Sequence, residues 1–188
     1  ALLGSTVALR GCWVRRTEAR YATLPFELRT TARRCDFVGF ESATIAGAAR
    51  FRCATFRGIA RFESASIKGD ALFQSASFGR DASFDSASFE GGASFHSASF
   101  GDVASFRAAT FGRRASFECA SIAGVARFHH ANFRGVARFE SASVGGDAWF
   151  YAASFGHDAS FESAYFRRFA KRRGSTSSPS VPRRIARP

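Results

Sequence analysis

The sequence predicts an all-β chain wound into a stacked coil, and three observations predict it. A large apolar residue recurs at steps that alternate five and six residues, Ala stands two places before almost every one of them, and every longer step contains a Gly. The run starts at Phe40 and ends at Phe166, with 24 centres of which 20 are Phe; the others are Ile45, Ile67, Ile122 and Val144. Of the 23 Phe in the chain only Phe26, Phe37 and Phe169 lie outside it, and Val38 is the one residue that replaces the preceding Ala.

An 11-residue period also suits a helical supercoil. Geometry excludes that here: at about 100° per residue, centres five apart point about 140° from one another, and the Ala two places back faces a third side. Ala-Ser-Phe reads instead as a short extended piece with Ala and Phe inward and Ser outward. The Gly and Ser content disfavours helix as well.

A three-residue strand has to pair, and no Asn-Gly hairpin signal separates the pieces. Stacking is the remaining solution. Glycines such as Gly47, Gly69, Gly91 and Gly135 in the six-residue steps supply permissive residues at alternate corners, so two 11-residue units close a four-sided coil of 22. One inward column then holds Phe40, Phe62, Phe84, Phe106, Phe128 and Phe150. Another holds Phe51, Phe73, Phe95, Phe117, Phe139 and Phe161. The third runs from Ile45 and Ile67 to Phe155, and the fourth from Phe56 to Ile122, Val144 and Phe166. Twenty-four faces make about six coils, a rod of roughly 25 to 30 Å at about 4.8 Å per coil.

The run from Val38 to Phe166 resembles the pentapeptide-repeat family, whose repeat is Ala, then Asp or Asn, then Leu or Phe, then two free positions. Ala82-Ser83-Phe84 and Ala87-Ser88-Phe89 carry that pattern with Ser in the Asp or Asn place and Phe in the Leu place, and every second interval has six residues. The resemblance implies a right-handed quadrilateral parallel β-helix for residues 38–166. Some members of that family imitate duplex DNA and protect gyrase, which requires a strongly acidic rod.

The formal charge of +12 argues against such mimicry once it is divided along the chain. Residues 38–166 hold 12 Lys and Arg against 12 Asp and Glu. The excess lies in the flanks, +4 in residues 1–37 and +8 in residues 167–188. In the N-terminal flank, residues 14–34 are expected to form a short helix, broken around Pro25, that caps the coil. The C-terminal flank, with clustered charge, "STSSPS" and three Pro, reads as a disordered tail. Its cations, Arg167, Arg168, Lys171, Arg172, Arg173, Arg183, Arg184 and Arg187, are the candidate anion-binding residues, suited to weak contact with nucleic acid or an acidic lipid surface.

Four Cys make no disulfide framework. Cys53 and Cys119 are outward and three coils apart, about 14 Å, beyond the roughly 7 Å limit between Cα atoms. Reduced thiols in a cytoplasm are the expectation, which a segment upstream of Ala1 would change. No Walker loop, nucleophile elbow, zinc motif or dinucleotide fingerprint occurs, so neither an enzyme, a cofactor nor a small-molecule substrate is expected. His129 and His130 read as surface residues, and so do His96 and His157. Two acidic ladders, Glu41, Glu63, Asp85 and Glu118, Glu140, Glu162, are set by the 22-residue count, with Trp149, Tyr151 and Tyr165 outward near the last coils. Columns of small hydroxyl residues, Thr55 to Ser143 and Thr44 to Thr110, are too interrupted by charge to suit an ice surface.

The function expected from these features is a non-catalytic scaffold whose flat β-faces bind an unidentified protein partner. Anion binding through the basic tail is the alternative, with end-to-end stacking of two copies as the route to a homodimer.

Overall fold

The computed structural model describes residues 38–170 and, before them, four short strands at Val7–Leu9, Thr17–Glu18, Thr23–Leu24 and Leu28–Thr30. Among the described residues there is no helix, and every strand pair is parallel. Ala82 pairs with Ala60 on one side and Ala104 on the other, and Ser88 pairs with Ser66 and Thr110. Each partner is 22 residues away, so the predicted coil length is the observed one.

Four faces follow in chain order. The first carries the Phe40-to-Phe150 column, the second Ile45 to Phe155, the third Phe51 to Phe161 and the fourth Phe56 to Phe166. The second is a seven-stranded sheet and the third an eight-stranded one. The first and fourth belong to one twelve-stranded sheet, because Ser143–Trp149 runs as a single strand across the corner between them.

The five-residue and six-residue corners are built differently. In the first kind, Ala87 N–H donates to the Phe84 carbonyl at 3.1 Å, and Ser86 has a φ of 58°. Twelve such corners recur, from Ser42 to Ser163, all with φ between 53° and 58° and none of them glycine. A positive φ at the third residue of a four-residue turn is the type II signature. It costs a side-chain-bearing residue about 1 kcal/mol or more. In return the N–H points along the rod, so that Ser86 N–H reaches the Arg107 carbonyl of the next coil at 2.7 Å.

The six-residue corners need glycine for a different reason from the permissive backbone expected of them. A Cβ on Gly91 would lie 2.5 Å from the Gly69 carbonyl oxygen, and one on Gly135 would lie 2.5 Å from that of Arg113. Neither glycine has a left-handed φ. What these positions require is a missing side chain, because one coil's backbone rests directly on the next.

Inside, the Phe columns stack ring on ring. Successive centroids are 4.9 Å apart from Phe62 to Phe84 and 5.0 Å from Phe73 to Phe95, with interplanar angles of 9° and 2°. The first and third columns interlock edge to face across the rod axis, as Phe84 does with Phe95 at 5.3 Å and 78°. That is the favoured geometry for a ring quadrupole. The Ala two places before each centre, such as Ala82 and Ala93, is also buried, and its small side chain leaves the space the rings occupy. Removing one ring to Ala costs about 3–5 kcal/mol by this packing.

The ends depart from the sequence expectation. All the candidate core residues from Phe40 to Phe150 are buried, but Phe161 is at the margin, and Phe155 and Phe166 are only partly buried. Ser154–Phe155 is the last strand of its sheet among the described residues, so its ring is stacked on one side only, against Phe133. At the other end, the helix expected within residues 14–34 gives way to strands where the chain is described. Thr17 pairs with Val38, Thr23 with Thr44 and Leu28 with Ala49. Each of these steps is 21 residues, one short of the later coils, so the strict phase that marked residue 38 as the start breaks while the pairing continues. The strand Tyr165–Ala170 likewise takes in Arg167 and Arg168, which were expected in the tail.

Candidate functional site

The outward residues form straight columns, because the parallel register places equivalent positions of successive coils side by side. On the third face the middle column is Arg50, Leu72, Ser94, Ser116, Arg138 and Ser160. The column beside it, one residue past each centre, is Arg52, Gln74, His96, Glu118, Glu140 and Glu162. Small residues at Gly92, Ser94 and Ser116 between Asp70 and Arg114 on one side and Gln74, His96 and Glu118 on the other leave a shallow depression of about 410 Å³.

Glu118 organises the charge here. It accepts from Arg114 Nη2 at 2.9 Å and from Arg138 Nη1 at 3.2 Å, and its other oxygen lies 3.4 Å from His96 Nδ1. Burial alone would raise its pKa, but the hydrogen bonds and charges of Arg138 and Arg114 hold it below the ordinary carboxylate value. Two polar atoms on this face are buried with no hydrogen-bond partner among the described residues, Ser116 Oγ and Glu140 Oε2. Ser116 as a whole is only 6% exposed.

On the first face the corresponding column reads Glu41, Glu63, Asp85, Arg107, His129 and Tyr151. Asp85 accepts from the Ser105 hydroxyl and from the Arg107 N–H, the latter at 2.9 Å. Burial, then the positive charges of Arg107, His130 and Arg127, lower the pKa of His129. Its ring stacks on Trp149 at 5.9 Å, and His130 meets Tyr151 edge to face at 5.6 Å. The acidic ladders are thus real columns on two different faces, and the second of them starts with a glutamate already held by arginines.

Among the described residues no three His, Cys, Asp or Glu side chains are grouped to hold a metal, and no helix is long and apolar enough to cross a membrane. Cys53 and Cys119 are exposed free thiols at five-residue corners. Trp149, Tyr151 and Tyr165 are exposed. Of the candidate anion-binding residues, Arg167 and Arg168 are exposed on the last strand; Lys171, Arg172, Arg173, Arg183, Arg184 and Arg187 lie outside the described residues. The grouping of Arg114, Glu118 and Arg138 escaped the sequence reading. Its signal was present, since Arg138 is 20 residues from Glu118 and the 22-residue count places the two on adjacent coils.

No curated protein and no solved structure is matched by the chain. A family model for pentapeptide repeats matches in 9 copies over residues 40–88 and 120–164, half of the chain and all of it within the coils described above. Repeat, register and match agree, and the chain belongs to the pentapeptide-repeat family.

Proposed function

We propose that the protein is a non-catalytic scaffold that binds other proteins on the flat faces of its rod. The observation that carries this reading is the regularity of the outward columns. Twelve corners hold φ within a 53° to 58° window, so charged and small side chains stand at one fixed spacing on a surface that costs little further ordering when a partner docks. Co-purification with the immobilised full chain and two variants, Arg138→Glu on the third face and Arg127→Glu on the first, tests it. A protein retained by the wild type and by one variant but lost with the other is the expected result. If nothing is retained above a blank matrix, or both variants retain everything, the scaffold reading fails.

A second reading has its own observation. Arg167 and Arg168 are exposed at the edge of the rod and lead directly into six further cations of the C-terminal segment. Such a cluster suits weak, sequence-independent contact with phosphate-bearing surfaces. Truncation after Ala170 combined with Arg167→Gln and Arg168→Gln should abolish binding of a fluorescent DNA duplex at low salt and leave the melting of the rod unchanged. Equal binding by the truncated chain would shift the contact to the coils.

A further inference from the structure

The charge columns of the third face have a symmetry that a single rod does not use. Over the six coils that follow the strands Val7–Leu9 and Leu28–Thr30 of this sheet, the flanking column runs Arg52, Gln74, His96, Glu118, Glu140, Glu162, with cation at one end and carboxylates at the other. If a second rod is laid on this face with its axis reversed, about a twofold axis that runs along the strands, each column meets its own reverse. Arg52 then faces Glu162, Gln74 faces Glu140, and His96 faces Glu118 of the other copy. The middle column sets Ser94 against Ser116 at the centre and Leu72 against the stem of Arg138. No like charges oppose each other in these columns.

We propose that the third face is a self-docking surface on which two copies of this chain pack antiparallel, centred between Ser94 and Ser116. This rests on the reading of the faces as docking surfaces and names one partner for one of them. The Gln74 carbonyl oxygen is occupied by Arg52 Nε at 3.1 Å, so its amide NH2 is the remaining donor toward Glu140 of the second copy. The depression over Gly92, Ser94 and Ser116 lies on the twofold axis and faces its own copy there, so the contact falls on the charge columns that flank it.

The first face supplies a contrast. The same operation there matches Glu63 with His129 and Asp85 with Arg107, but it sets Arg61 against Arg127 in the middle column. The second and fourth faces present mainly Thr, Ser and Asn in theirs and have no charge order to match.

Six coils at about 4.8 Å and a face about 15 Å wide bury on the order of 400 Å² per copy, half of the roughly 800 Å² typical of a stable complex. The dimer is therefore weak and concentration-dependent.

Sedimentation equilibrium of the full chain from about 5 to 500 µM, at low and at physiological salt, tests the proposal. The wild type should pass from monomer to dimer over that range, with weaker association at higher salt. Arg52→Glu and Glu162→Arg, both at exposed positions, should each weaken the dimer about tenfold by opposing like charges. The double variant should restore it, because the reversed pair again attracts. Unchanged melting temperatures show that the rods remain intact. A wild type that stays monomeric to 500 µM overturns the proposal. So does a dimer indifferent to both single changes, which would point to end-to-end stacking, and so does a double variant as weak as the singles. A monomeric wild type leaves capture of a foreign protein intact, so this proposal and the scaffold reading fail separately.

Discussion

The two kinds of corner solve one problem with opposite means. At the five-residue corner, Ser86 and its eleven equivalents take a conformation that a side chain disfavours, and the cost is offset by one bond within the turn and, in ten of the twelve, one to the next coil. At the six-residue corner, residues such as Gly91 keep an ordinary backbone and give up the side chain, because the neighbouring coil leaves no room for it. The first corner is strained and spacious; the second is relaxed and crowded. Stacking works because each coil sets like on like, so alternation of five and six matters more than the identity of any single residue.

Deletions break this comparison most severely. Removing Ala82 to Gly92, 11 residues, exchanges faces but keeps each corner over its own kind, whereas removing Ala82 to Ser86 sets two six-residue corners in succession and mismatches every later one. The first variant should remain soluble with a β-type circular dichroism spectrum, and the second should not. Equal behaviour would show that corner type is not what aligns the coils.

Ser86→Pro attacks one strained corner. The ring fixes φ near about −65° and removes the N–H, so a φ of 58° and the 2.7 Å bond to Arg107 are both lost, for about 3 kcal/mol or more in chemical denaturation. Gly91→Ala attacks a crowded one. Its new Cβ meets backbone at 2.5 Å and should cost about 1–3 kcal/mol, while Gly92→Ala in the same corner meets the Asp70 side chain at 3.4 Å and the Arg114 carbonyl oxygen at 3.8 Å, both ordinary contacts, and should be nearly silent. Ala108→Gly has a small effect. At a φ of 53° glycine relieves strain but adds freedom to the unfolded chain, so the change should stay within about 1 kcal/mol and lean towards stabilisation. A loss as large as that of Gly91→Ala would mean that the five-residue corner is not strained as described.

Much of this was legible before any coordinates. Phe84 and Phe95 could be assigned inward and to opposite columns from spacing alone, since a period carried through 24 centres leaves one stacking register. The corners were legible in position but not in mechanism. Glycine signals both backbone freedom and close approach, and only the 2.5 Å distance above Gly91 separates the two. The start of the rod was missed because the reading followed Phe: Leu24 lies opposite Ile45 and Thr23 opposite Thr44, but at 21 residues and without the aromatic signature. On the third face, Glu118 was legible as a member of an acidic ladder. The spacing puts Arg114 on the same coil and Arg138 on the next, but that both reach this carboxylate was not legible, because side-chain reach is not written in the spacing.

The constant one-coil separation of the cross-coil backbone bonds also bears on how the chain reaches this structure. Parallel β-pairing is ordinarily slow to form, since its contacts are far apart in sequence. Here the partner of each strand is 21 or 22 residues away, a relative contact order of about 0.12 for a chain of 188, in the range of mixed α/β domains rather than β-sandwiches. A longer rod of the same coil would have a lower value still, because the separation stays fixed while the length grows. Once a first pair of coils has closed, its exposed rim of N–H and C=O groups and half-covered rings is the template for the next turn. Assembly then proceeds by accretion, one rung at a time, and the time to complete the rod should grow with the number of rungs rather than with the distances the chain must search.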